Sequence, residues 1–485
     1  MTDANAKINK NRWLILCIVI MMTFMSCVDS SIVNVALPTI ASNLHADTFS
    51  VSWVVTVYLI IITALILFFG KLADLTGKTR CFNYGIVLFT LGSLFCGLSN
   101  SLVLLLIARA IQAIGAAAAM ATTQGIIAEA FPAKERGRAL GISGSSVALG
   151  SMAGPVLGGL IVNFYSWHYI FLINLPIGIA AFILGSKFLP KDNKKLENKK
   201  SLDGIGVVLF ALSMIILFAT VSIAENLDFI NVLVLVLFLL AIVVSICLFV
   251  LFIFVERKND MPMLDLSIFR NSLFSLSVFC AFISFSVISC TSILLPFYLQ
   301  ELLRMSPSAA GLIIMSSPIV LALTAPISGY LSDHFGSEFL TFLGLSIMTV
   351  GMILMGIFFN ADTSVILIIV FIGMISLGNG MFQSPNTSLI MSTVPKNKYG
   401  IAGSINALVR NAGLVFGVTF STILLYNRMS SSLGHKILNY TGGDNNAFIY
   451  AMHFVVFSVA GICLLGVILT WIRLYGWKLK KHKEV

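Results

Sequence analysis

The chain has 485 residues, of which 58% are hydrophobic and only 10% charged, with a mean hydropathy of +1.00; a soluble globular protein carries about 25% charge. Such a chain cannot cover itself with polar surface, which excludes a soluble enzyme, a secreted disulfide scaffold, a disordered segment and a nucleic-acid reader. The apolar residues come in long blocks rather than the alternation of a β-barrel, and the net charge of +10 reads as the basic bias of loops on one membrane face.

A membrane span needs about 20 mainly apolar residues. In chain order the sequence offers fourteen such blocks, at 14–41, 50–70, 81–99, 101–128, 138–162, 168–189, 203–223 and 230–254, then 271–299, 308–331, 338–359, 364–392, 400–426 and 447–474. The first lacks a small-residue cleavage site and is expected to stay as a helix. The eight cysteines show no CxxC or metal-like spacing and read as small hydrophobes.

Of the thirty Lys and Arg, 25 fall in one set of loops and the two tails. Three (Arg304, Arg428, Lys436) fall in the opposite loops, and Arg109 and Arg410 fall inside spans. The split places both termini in the cytoplasm, and an even number of spans demands that both ends share one side.

The chain also repeats itself. Gly70-x-Leu72-Ala73-Asp74-x-x-Gly77 recurs as Gly329-x-Leu331-Ser332-Asp333-x-x-Gly336, and Leu37-Pro38 as Leu295-Pro296. Gly137, Gly150 and Gly154 find Gly400, Gly413 and Gly417. The expected organisation is a six-helix bundle over 1–190, a cytoplasmic linker at 191–202 and two inserted spans at 203–254. A second linker at 255–270 and a six-helix bundle with its cytoplasmic tail over 271–485 complete the chain. Parallel six-span repeats are an architecture of secondary transporters, with the substrate near the midplane.

Four stretches carry chemistry. Asp29, in the first span, is a carboxylate within an apolar segment, costly by about 2.5 kcal/mol or more and a functional hypothesis by default; a purely structural partnership with a buried arginine is the alternative. Arg109 and Gln112 lie one turn apart on one helical face, at a depth matching Asp29, the nearest acceptor by depth. In the turn after the second span, Gly70, Asp74, Gly77, Lys78 and Arg80 place an acid where it can meet the positive end of a helix beginning near Gly400. Gly150, Gly154 and Gly158, with Pro155 and Gly159, form a ladder that allows close helix approach.

These stretches resemble the motifs of the major facilitator superfamily, and within it the fourteen-span drug:proton antiporters of the QacA/EmrB type. The resemblance covers almost the whole chain. It implies an all-α membrane fold of two six-helix bundles plus two inserted helices. It assigns proton coupling to Asp29 and Arg109, a cytoplasmic gate to Gly70, Asp74, Gly77, Lys78, Arg80 and Asp333, and an antiporter motif to Gly150, Gly154, Pro155, Gly158 and Gly159. Trp167-His168-Tyr-Ile-Phe171-Leu-Ile-Asn174-Leu-Pro176 resembles a further signature of that branch, with His168 where an arginine often stands.

Candidate substrate-cavity residues are Asn34, Trp53, Tyr58, Gln112, Phe285, Tyr298, Phe382, Gln383, Asn386, Asn406, Arg410 and Asn411; for the asparagines, bonding between helices is an equal alternative. No Walker A loop, HExxH, GxSxG or Cys/His cluster is present, so neither an enzyme nor a metal site is expected, and no cofactor beyond the proton gradient. The expected partners are a small-molecule substrate, protons and membrane lipids, with no nucleic acid, and the protein is expected to be a monomer in the cell membrane. The leading function is proton-coupled export of small amphipathic or cationic compounds. Export of one metabolite, peptide or lipid-like molecule is the second reading, and a non-transporting sensor or scaffold the third.

Overall fold

A computed structural model describes residues 3–46, 48–190, 192, 203–224, 232–259, 262, 264, 266–305, 307–395, 398–434 and 445–481. The linker expected at 191–202 lies outside these apart from Asp192, and Lys396 and Lys436 lie outside them too. The described chain is helical: α1 (Asp3–Asn43), α2 (Thr48–Thr76), α3 (Lys78–Gly97), α4 (Leu102–Ala130), α5 (Ala133–Phe164), α6 (Tyr169–Leu172), α7 (Asn174–Phe188), α8 (Gly204–Ala224) and α9 (Val232–Lys258). After a 3-10 turn at Leu266–Arg270 come α10 (Ser272–Phe297), which runs into a π turn, then α11 (Pro307–Ile314), α12 (Ser316–Phe335), α13 (Ser337–Phe358), α14 (Val365–Ser392), α15 (Tyr399–Leu433) and α16 (Asn445–Lys481).

Thirteen helical stretches among the described residues are long and apolar enough to cross a membrane. The expected fourteenth, α3, has the length, at 20 residues. Arg80, Asn83 and Tyr84 in its first turns lower its hydropathy. The protein is therefore a multi-pass membrane protein. Two spans are each built from two helices, and proline explains both breaks. A proline lacks the N–H that would bond the carbonyl four residues back. Pro176 deprives Leu172, the last residue of α6, and Pro318 deprives Ile314, the last residue of α11.

Packing divides the chain into two compact units. The first holds Met1–Pro132, Gly150–Arg270 and Val394–Leu408; the second holds Ala133–Leu149, Asn271–Thr393 and Val409–Val485. The division cuts α5 and α15. The inserted pair belongs to the first unit, where α8 packs on α9 and on α2, and Ser245 Oγ donates to Ser213 O across the pair at 2.9 Å.

The duplication is visible helix by helix. Ser101 and Ser364 cap α4 and α14, each hydroxyl accepting from the amide three residues on, Leu104 and Leu367. The α3–α4 crossing places Gly85 against the carbonyl of Gly115, and the α13–α14 crossing places Gly344 against the carbonyl of Gly378, 263 residues beyond Gly115. An added Cβ at Gly150 would meet the carbonyl of Phe24 in α1, and one at Gly413 the carbonyl of Phe282 in α10, 258 residues beyond Phe24, each at 2.8 Å.

Candidate functional site

In the first unit Asp29, Arg109 and Gln112 are all 0% exposed. A carboxylate removed from water needs a cation and further donors to replace its hydration, and Asp29 has both. Its Oδ2 accepts from Arg109 Nη1 at 2.6 Å. Its Oδ1 accepts from Gln112 Nε2 and from Asn174 Nδ2, each at 2.8 Å. Ser93 Oγ accepts from the same two amides, at 2.7 and 3.3 Å, so α1, α3, α4 and α7 meet at one point.

The arginine is fixed as firmly as the acid. Nε donates to the carbonyl of Val54 in α2 at 3.0 Å, and Nη1 also reaches Gln112 Oε1 at 2.6 Å. The guanidinium lies 4.2 Å from the centre of the Tyr58 ring and 5.5 Å from that of Phe171, attractive cation–π geometry. Chemically, this is a carboxylate whose ion pair would be lost on taking up a proton. Arg109 would then keep Gln112, Val54 and the Tyr58 ring.

Ser93 escapes a reading of the sequence, and the contact of Asn174 with Asp29 does too, because one hydroxyl or amide in a span is an ordinary helix contact. Asn174 had a signal: it opens α7, at the proline-made break. His168, in the same stretch, stacks on Trp167 with ring centres 3.8 Å apart, and its Nε2 lies 3.0 Å from the carbonyl of Ser99.

The turn after α2 contains the expected helix-end contact. Asp74 accepts from the amides of Gly400 and Ile401, at 2.9 and 3.0 Å, in the first turn of α15. Lys78 Nζ is 3.8 Å from Asp74 and 3.1 Å from Glu129. Any side chain at Gly70 would strike Ser404, and Gly77 has φ +116, a conformation that favours glycine. The side chain of Arg80 is exposed. Its amide and that of Thr79 donate to Asp192, at 2.9 and 3.3 Å, so a residue of the linker caps α3. In the second unit Asp333 accepts from the amides of Gly137 and Arg138, both at 3.3 Å. The repeat thus uses its acid twice, on the first turn of α15 and the second turn of α5, and these contacts draw the ends of α5 and α15 into opposite units.

The glycine ladder faces α1. A Cβ at Gly154 would fall on the Ser31 hydroxyl and lie 2.9 Å from the amide nitrogen of Ile32; one at Gly158 would lie 2.9 Å from Ile32 Cγ1. Gly159 has nothing within 4 Å, so close approach does not explain that glycine. Helix α5 continues unbroken through Pro155.

The candidate cavity residues scatter. Tyr58, Gln112, Phe285, Tyr298, Phe382, Asn386 and Asn406 are buried. Tyr298 stacks on Phe359 and donates to Asn360 O at 2.8 Å. Asn386 Nδ2 donates to Ser277 O at 2.9 Å and Asn406 Nδ2 to Gln124 Oε1 at 3.1 Å, so both asparagines join helices. Trp53, Gln383, Arg410 and Asn411 are half-buried, and Asn34 is exposed.

One basic residue is buried where only its side of the membrane was expected. Arg473, next to the end of the expected last span and counted among the 25 cytoplasmic charges, lies inside α16 and is 8% exposed. Its guanidinium donates to Ser277 Oγ at 2.9 Å and to Thr341 Oγ1. Its place at the end of the last span, next to a lysine-rich tail, hides it in the sequence. Among the described residues no three His, Cys, Asp or Glu cluster as a metal site would require.

Two compact helical units, each with the same glycine crossings and helix-end acids, the first with a buried ion pair, define a duplicated membrane-transporter fold. The model of the Major Facilitator Superfamily matches residues 19–418 and 276–480, and the chain belongs to that family. It is 38% identical over 465 residues to the riboflavin transporter RibZ of Clostridioides difficile, covering 95% of this chain and 97% of the relative. To the multidrug resistance protein Stp of Mycobacterium tuberculosis it is 31% identical over 411 residues, 84% of this chain and 75% of the relative. The human organic anion transporter MFSD10 shares the fold, with a TM-score of 0.65 at 12% identity over 94% of this chain and 98% of that one.

Proposed function

We propose that this transporter exports small amphipathic compounds, cationic ones among them, in exchange for protons, by alternating access across the cell membrane with both termini in the cytoplasm. The observation that carries the reading is the Asp29–Arg109 pair at 2.6 Å, fully buried, with Gln112 and Asn174 holding the second carboxylate oxygen. An ionisable pair inside a span is expensive, and its usual return is a proton or substrate pathway. Proton uptake by Asp29 releases Arg109 from the ion pair, and the network relaxes between two hydrogen-bonded arrangements. The glycine ladder on α5 against α1 supports exchange, since it lets the helix bearing Asp29 slide against its neighbour. The helix-end contacts of Asp74 and Asp333 serve as the cytoplasmic gate.

A second reading is transport of one neutral metabolite on the same fold. The 38% identity to a riboflavin transporter favours it. Proton-driven uptake into inverted vesicles, measured for ethidium, an acridine and riboflavin side by side, separates the two. Accumulation of several unrelated compounds supports broad export; accumulation of riboflavin alone supports the narrow reading. No gradient-dependent accumulation of any compound overturns both.

A further inference from the structure

The second unit contains a cavity of about 130 Å³ between α10, α11, α12, α13 and α14. Its position in the repeat explains why it exists. The register fixed by Asp74 and Asp333 makes Ser317 the counterpart of Tyr58, 259 residues on. The register fixed by the caps of α4 and α14 makes Ile372 and Ile375 the counterparts of Arg109 and Gln112, 263 residues on. By the α1–α10 register Asp29 corresponds to Val287. In the first unit the Tyr58 ring lies on the Arg109 guanidinium. In the second unit a serine and an isoleucine stand at the matching positions, and both line the cavity.

The cavity is neither charged nor wholly apolar. Ile372, Ile375 and Leu321 give it apolar walls, and no Asp, Glu, Lys or Arg lines it. At one side Ser317 Oγ and Ser376 Oγ are 2.6 Å apart. Asn379, 3% exposed, has its side-chain oxygen taken by the Ser284 hydroxyl at 3.1 Å. Its Nδ2 has no protein partner among the described residues, and Asn379 is one of the residues lining the void. An amide donor with no protein partner at the wall of a void can donate to an acceptor placed there. An engineered apolar cavity of about 150 Å³ accepts benzene, and this one, at about 130 Å³, is of similar size.

We propose that this cavity is a binding site for a neutral aromatic ring bearing a hydroxyl or carbonyl edge. The ring takes the place that Tyr58 occupies in the first unit, and its oxygen accepts from Asn379. On the export reading above, the ring would be the uncharged end of a transported compound. The site itself stands on the geometry alone.

The test uses the full chain in lipid nanodiscs, with 4-fluorophenol and fluorobenzene as probes followed by fluorine NMR against empty nanodiscs. The wild type should bind 4-fluorophenol saturably and in competition with phenol. Ser317→Tyr, which restores the ring of the first half, should abolish that binding without lowering the unfolding temperature. Asn379→Ala should weaken 4-fluorophenol about tenfold, the weight of one buried hydrogen bond, and leave fluorobenzene unchanged; this arm stands even where Ser317→Tyr fails to fold. Absence of saturable binding in the wild type, as for a cavity that holds only water, or equal binding in wild type and variants, overturns the proposal. No proton gradient enters the measurement. Asp29→Asn should bind the probe as the wild type does, so a failure of proton-coupled export and a failure of this site are separately visible.

Discussion

Gly154 offers a substitution with its own control five residues away. An added Cβ at Gly154 would coincide with the Ser31 hydroxyl and lie 2.7 Å from Ser31 Cβ and 2.9 Å from the Ile32 amide nitrogen. The last of these is backbone and cannot swing aside, so α5 and α1 must move apart. Overpacking of this kind costs about 1–3 kcal/mol, and about 1.4 kcal/mol changes a population ratio tenfold. At Gly159 the same Cβ meets nothing within 4 Å. We therefore expect Gly154→Ala to lower the unfolding temperature in detergent and slow substrate exchange in proteoliposomes, and Gly154→Leu to abolish exchange while still inserting into the membrane. Gly159→Ala and Gly159→Leu should match the wild type in both assays. Wild-type exchange by Gly154→Leu, or equal damage at the two positions, would refute the argument that the ladder exists for close approach of α5 to α1.

Arg109→Met strands the Asp29 carboxylate in the interior and should cost about 3–5 kcal/mol, seen as loss of a monodisperse peak in detergent. Arg473→Met removes bonds from a guanidinium to hydroxyls without stranding a carboxylate and should cost about 1.5–3 kcal/mol; the reverse order would contradict the two environments described. Asp74→Asn should speed hydrogen exchange at Gly400 and Ile401 about two- to fivefold, and Asp333→Asn should do so at Gly137 and Arg138, the size of a helix-end charge worth about 0.3–1 kcal/mol. Unchanged exchange would remove the helix-end role. Deleting the inserted pair at 203–254, with the ends rejoined, should leave a folded protein with lower thermal stability, because α8 covers one face of α2. Complete loss of folded protein would place these spans in the core.

The sequence discloses the spans and the rare charges within them for one reason: both are expensive in lipid, so composition alone exposes them. Asp29 and Arg109 stand out as single ionised groups in apolar runs, and their depth within their spans already matches. Ser93 completes the site but costs little as an isolated polar residue, so nothing distinguishes it from the many hydroxyls that bond to their own helix, whereas Asn174 is marked only by its place beside Pro176. The aromatic candidates fail to stand out for the opposite reason: Tyr298 and Phe382 look like cavity walls in the sequence but are buried in packing. Arg473 resembles a tail residue by position, and only the side chains of α10 and α13 reveal that it is enclosed. The cavity near Ser317 and Ile372 is an absence of volume, visible only when the two halves are compared in three dimensions.

The central claim is that Asp29 couples proton movement to substrate movement, and proton flux itself tests it most directly. Purified protein in proteoliposomes carrying an internal pH-sensitive dye would be given a substrate gradient, without any imposed pH gradient. The account predicts that the wild type moves protons against the direction of substrate, and that Asp29→Asn moves none while remaining folded and able to bind substrate. Proton movement by Asp29→Asn at the wild-type rate would contradict it.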